Sequence, residues 1–285
     1  MNGFRDILGF YLKKQLRSKS FIVITLVMAV GLSAISIVLG GEATGGALNM
    51  SEEEELYFLS LIFCIITMTF IMLYSNSASG EIAYLKTNRV MEIFMTSVRP
   101  LPLYIGINMA YCVAQLIQIG VVGAVLAVVN SAYGSGLWKI VEAAGTNGNA
   151  GGFIAVFVVF LILGYFVYSF INTSLVSVVG RAEDISGITV PVSFLVMVMY
   201  FMSMSVSLSG DSAAAAVASY IPFTSPSVMV TRYIYGYADI VQVLISIIIL
   251  FAGVVVIAYM GSRFFTGGVN FYGSLRDYKK RTKKL

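Results

Sequence analysis

The 285-residue sequence has no histidine, two cysteines, one tryptophan, five prolines and only 11% charged residues. Each shortage excludes something. Without histidine the commonest metal ligand and the usual proton shuttle near neutral pH are missing, so no metal centre is expected. Cys64 and Cys112 each lie inside an apolar run, where a buried structural thiol is the expected role. A charged fraction of 11%, against about 25% in ordinary soluble domains, leaves too little polar surface to cover a water-soluble core. What is present is 58% hydrophobic with a mean hydropathy of +0.89, the composition of an integral membrane protein. Apolar runs of helical length indicate helices rather than a β-barrel, whose strands alternate over about ten residues.

The expected fold is all-α and membrane-integral, a single transmembrane domain over 1–285 with spans at 20–40, 56–78, 103–130, 153–179, 187–208 and 240–262. Six spans leave no room for a separate soluble domain. The first follows Lys13, Lys14, Arg17 and Lys19, is longer than the apolar core of a signal peptide and reads as a retained anchor. Ahead of it Phe4, Ile7, Leu8 and Tyr11 recur at i, i+3, i+4 and i+7. That spacing predicts an interfacial elbow helix over 1–19, with a cytosolic start to the first span as the alternative.

Charge orients the spans, because cytoplasmic segments retain Lys and Arg. With both ends cytoplasmic, sixteen basic and six acidic residues lie inside, a net of +10, and two basic and eight acidic lie outside, a net of −6. Lys86 counts as an inner loop cation and Arg232 as an outer one. The overall +4 is therefore a topological asymmetry and calls for no nucleic-acid partner. No charge is assigned to a span interior, which disfavours an ion-coupled carrier. The polar groups there are neutral. Most are expected to bond backbone or neighbouring helices, and Thr67, Asn172, Met199 and Ser203 are the candidates for a substrate path.

Three further segments carry information. Within 81–100, Arg89, Glu92, Thr96 and Arg99 share one side of a helix, while Val90, Met91, Phe94, Met95 and Val98 lie mostly on the other. This predicts a short amphipathic cytoplasmic helix ended by Pro100 and Pro102, its apolar stripe suited equally to lipid or to a partner's groove. Within 211–239 an alanine run precedes Pro222 and Pro226, which predicts a pair of short helices re-entering from outside; a surface loop is the alternative. The acidic run at 52–55 reads as the cap of a helix N-terminus, and the basic tail at 263–285 as a lipid-facing cytoplasmic segment.

Glu81, then Asn88-Arg89-Val90-Met91-Glu92-Ile93, Thr96-Ser97-Val98 and Pro100-Leu101 together resemble the cytoplasmic loop of ABC-2 type exporter permeases, in particular their sodium-extrusion branch. Arg181-Ala182-Glu183-Asp184 with Pro191, and Tyr220 through Met229, agree in order with the same family. The sequence departs from that branch in having fifteen residues, 41–55, between its first two spans, and Gly106-Ile107 where Gly-Lys is usual. The resemblance implies a permease subunit of an exporter in the cytoplasmic membrane, working with a cytosolic ATPase and a second permease copy, identical or related. Glu81, Arg89, Val90, Met91, Glu92, Phe94 and Val98 would couple to that ATPase, with Val90, Met91 and Phe94 as its buried anchors. Pro222, Phe223, Ser225 and Pro226 would form an external gate. ATP and Mg would sit on the partner, since no lysine here follows a glycine and a phosphate-binding Walker loop is impossible. A non-transporting scaffold that recruits a cytosolic protein through the same loop is the alternative reading.

Overall fold

A computed structural model describes residues 3–39, 51–97, 99–133, 150–179 and 183–269. Its described residues form ten helices and no strand: α1 (Gly3–Leu16), α2 (Lys19–Leu39), α3 (Glu52–Thr87), α4 (Val90–Ser97), α5 (Pro100–Tyr133), α6 (Ala150–Val176), α7 (Glu183–Ser209), α8 (Ala213–Ala218), α9 (Ser225–Ile234) and α10 (Ile240–Val269). Six of them, α2, α3, α5, α6, α7 and α10, are long and apolar enough to cross a membrane. The composition and these six helices make this a multi-pass membrane protein.

Local chemistry sets the helix ends. At the start of α3, Ser51 and Glu54 form a reciprocal capping box, the Glu54 carboxylate accepting from the Ser51 backbone N–H at 2.8 Å. The acidic run thus caps a helix. Pro100 and Pro102, expected to end a helix, instead occupy the first turn of α5, where proline lacks only an N–H that had no partner. Pro191 lies within α7, where it has no N–H to donate to the Gly187 carbonyl four residues earlier.

α6 is the central helix. It packs along α3, α7, α9 and α10, and half of its most apolar stretch is buried inside the bundle. By contrast α2 is held chiefly against α5 and also touches α1, with Ile22, Val23, Leu26, Val27 and Val30 turned outward. In water such a face would be an aggregation site; on a spanning helix it faces hydrocarbon. α1 lies against the first turns of α5, where Ile7 fits over Gly106 so closely that a Cβ built there would meet the Ile7 Cγ2 at 2.8 Å. The glycine that departs from the family pattern in its neighbour is thus the seat of the elbow helix.

The bundle has two distinct ends. One, the elbow end, carries α1, α4, the starts of α5 and α7 and the finishes of α3, α6 and α10. The other, the hairpin end, carries α8 and α9.

Candidate functional site

At the elbow end α3 outlasts its apolar run. It passes through Gly80 to Thr87 and is closed by Asn88, whose side chain donates to the Tyr84 carbonyl at 3.0 Å. Glu81 and Lys86, read from sequence as loop residues, therefore belong to the last turns of a spanning helix. A drop in hydropathy marks where a chain leaves an apolar environment, and backbone hydrogen bonding need not stop there.

Both charges are buried and both hold other helices. Glu81, 8% exposed, accepts from Lys14 Nζ of α1 at 2.6 Å. Beside it, burial raises the Tyr11 phenol pKa well above its ordinary value, and the Glu81 carboxylate adds to the rise. Lys86, 1% exposed, donates from Nζ to the Ser177 carbonyl and to the Gly268 carbonyl, the latter at 2.7 Å. Ser177 directly follows α6 and Gly268 lies in the last turn of α10. One ammonium thus caps two helix C-termini, where unpaired carbonyls and the helix dipole favour a cation. The end of α3 is tied to α1 by one side chain and to α6 and α10 by another.

α4 follows after a tight reversal at Arg89, whose φ of +56° is the left-handed conformation that non-glycine residues avoid. The amphipathic pattern is present, but the helix is turned differently from the docking role expected of its apolar side. Met91 has no exposed surface, and Val90, Phe94 and Met95 pack against the core of the same chain. These anchors are satisfied within the bundle, because an apolar stripe beside a core packs onto the nearest apolar surface it can reach. The outward side consists of Arg89, Glu92, Ile93 and Thr96, with Ile93 71% exposed. Ile93 is absent from the residues picked out by sequence, since helical spacing assigns sides but not which side meets the bundle. Val98 lies outside the described residues, as do Arg181, Ala182 and the tail from 270 onward.

At the hairpin end, all ten residues of α9 are buried. Two prolines seat the hairpin on glycines of the spanning helices. A Cβ built on Gly164 of α6 would lie 2.7 Å from the Pro226 Cβ, and one on Gly253 of α10 would lie 2.8 Å from the Pro222 Cγ. Tyr168 of α6 donates its hydroxyl to the Phe223 carbonyl at 2.5 Å, and Ser225 is fully buried. The four residues read as a gate thus lie together against α6 and α10, with Ser225 and Pro226 buried and Pro222 and Phe223 half-buried. Further along α9, Ser227 donates to the Cys64 thiol at 3.2 Å. Arg232, read from sequence as an outer loop cation, is 3% exposed; its guanidinium holds both oxygens of Asp211 at 2.9 Å and donates to Ser219 Oγ at 2.9 Å.

Each candidate path residue is held by a hydrogen bond or by packing. Thr67 bonds back to the Phe63 carbonyl, Met199 is buried in the core, and Ser203 pairs with Thr231 of α9. Asn172 donates to Ser75 Oγ at 2.7 Å and to Asn76 Oδ1 at 3.2 Å, tying α6 to α3. Nearby, Asn108 of α5 donates to the Tyr104 carbonyl at 2.8 Å and accepts from Ser169 of α6. These groups stitch helices together, the use neutral polar side chains most often have in apolar surroundings.

The sequence model of a family described as "ABC-2 family transporter protein" matches residues 39–263. Uncharacterized protein YhaP of Bacillus subtilis is 30% identical over 243 residues, covering 80% of this chain and 56% of that protein. Uncharacterized protein MJ1024 of Methanocaldococcus jannaschii is 23% identical over 225 residues, covering 77% of this chain and 52% of that protein. The chain therefore spans just over half the length of these two relatives. No solved structure matches it. The elbow-end loop, the hairpin and five of the six spans lie within or across the matched region, and the chain belongs to the ABC-2 family of transporter proteins.

Proposed function

We propose that the chain is the permease subunit of an ABC exporter in the cytoplasmic membrane, with the elbow end and both termini cytoplasmic and a second permease copy, identical or related, completing the pathway. A separate ATPase, carrying ATP and Mg, docks on the outward side of α4, where Arg89 and Glu92 set the register and Ile93 enters the partner's groove. The observation that carries this reading is the pairing of an exposed helix face with its attachments: α4 presents Ile93 outward, anchors Met91 inward, and continues from the α3 end that grips α1, α6 and α10. A push on α4 would be passed through Glu81 to the elbow and through Lys86 to two spanning helices. Such a joint with two packed arrangements is what an ATPase can bias.

At the opposite end the hairpin from Pro222 to Pro226 is the external gate, and Ser203, now bonded to α9, would line the path when α9 lifts. The lopsided charge supports this orientation: among described residues the elbow end carries nine Lys and Arg against Asp6, Glu81, Glu92, Glu183 and Asp184, while the hairpin end carries Arg232 against Glu52, Glu53, Glu54, Glu55, Asp211 and Asp239. The test is copurification with an ATPase subunit followed by reconstitution in liposomes. The expected result is a stable complex whose ATP hydrolysis rises with a transported compound and moves that compound toward the hairpin side. A complex that hydrolyses ATP at one rate whatever is added, and moves nothing, would establish the scaffold role instead.

A further inference from the structure

An elongated apolar cavity of about 220 Å³ lies between α2, α3, α5 and α6 in the hairpin half of the bundle. Along α3 it runs from Leu59 to Phe70, about 17 Å at 1.5 Å per residue. Two polar side chains line it, Ser36 and Asn130, and each is three residues from the end of its helix, at Leu39 and Tyr133. Every other lining residue is apolar or glycine. The slot is thus polar at its rim and apolar along its depth.

Among the described residues nothing fills it. A Cβ built on Gly123, which lines the slot, would meet no atom within 4 Å. Water is a poor occupant, since a buried water needs two to four polar partners and these walls supply only Ser36 and Asn130, near one end. Leaving the slot empty forfeits dispersion contacts along its apolar walls. The cavity lies among spanning helices, where the medium at hand is hydrocarbon, and its narrow length suits an alkyl chain better than a globular molecule. Its position adds a reason for occupancy: α2 rests chiefly on α5, and in this slot Leu32 and Ser36 of α2 share a lining with residues of α3 and α6.

We propose that the slot is a lipid site holding one acyl chain of a bilayer phospholipid, which enters from the hairpin-side leaflet with its ester region near Ser36 and Asn130 and completes the packing of α2 against α3 and α6. The inference rests on the membrane embedding of the spans and stands or falls separately from the transport reading.

Reconstitution into nanodiscs of phosphatidylglycerol carrying a photoactivatable acyl chain tests it, with cross-linked peptides mapped by mass spectrometry. The expected result is label concentrated on 59–70 and 119–130, several-fold above that on the outward face of α10 at 241–256. Gly123→Leu and, on the same wall, Ala127→Phe should fill the slot, abolish that excess and reduce copurifying phospholipid in native mass spectra. Gly120→Leu, on the same helix but outside the slot, should leave both readouts unchanged. Label no heavier on 59–70 and 119–130 than on α10, or unaffected by both filling variants, would overturn the proposal. So would a cross-link from position 123 to a second copy of the chain, which would make the occupant a protein surface.

Discussion

The two ends of the bundle are held in different ways. At the elbow end, besides the close seat of Ile7 on Gly106, helices are joined by long side chains, Lys14 to Glu81 and Lys86 to the finishes of α6 and α10. At the hairpin end they are joined by close contact, Pro226 on Gly164 and Pro222 on Gly253, without room for a methyl group. A lysine tether has several rotatable bonds and tolerates small shifts between the helices it links. A ring seated on a glycine tolerates none, and can only stay or leave. In the proposed transport cycle this makes the elbow end a hinge that transmits graded motion and the hairpin a plug that is in or out.

Substitutions can break or sharpen this contrast. Lys86→Met should have the largest effect, because it removes a buried cation and strands two helix-terminal carbonyls, at a cost of about 3 kcal/mol. Thermal unfolding in detergent reads it as a clear fall in Tm; an unchanged Tm would show that the Ser177 and Gly268 carbonyls find other partners easily. Gly164→Val comes next. Forcing Pro226 off its seat should cost about 2 kcal/mol, within the range for overpacked cores, and should also expose α9, read as faster labelling of the Cys64 thiol that Ser227 now covers. Destabilisation without faster labelling would place the strain in α6 rather than in the plug.

Glu81→Gln should be milder. The Lys14 side chain is 47% exposed, so solvent screens the pair and the loss should be about 1 kcal/mol despite the 2.6 Å contact. Arg89→Gly should be the smallest and opposite in sign, relieving a left-handed arginine by about 1 kcal/mol. It sharpens the comparison most, because it removes the proposed docking charge while favouring the turn. A protein more stable than wild type that binds the proposed ATPase more weakly would separate docking from folding at that residue.

Much of this arrangement is readable from the chain before any coordinates. The spacing of Phe4, Ile7, Leu8 and Tyr11 marks a helix with one buried side, and Ile7 and Tyr11 are indeed buried while Phe4 is not. The six apolar runs locate the spans, and the serine and glutamate before the second mark its capped start. Other features required the third dimension. Glycines 164 and 253 carry no local signal as seats, because their partners lie about sixty and thirty residues away in sequence. Lys86 and Arg232 look like loop cations by composition, and only the packed ends of neighbouring helices reveal the acceptors that make their burial tolerable. The side of α4 that turns outward is undetermined by periodicity, which is why spacing alone singles out Met91 and Phe94 and passes over the exposed Ile93.

The central claim is that the outward side of α4 couples the bundle to an ATPase. Its most direct measurement compares Ile93→Asp with wild type in the copurified complex, reading ATPase content and substrate-stimulated hydrolysis together, with Tm as the control for folding. The account predicts a wild-type Tm with a severe loss of bound ATPase or of substrate stimulation. A variant with full ATPase content and full stimulation would contradict it, and would place the coupling surface elsewhere on the elbow end.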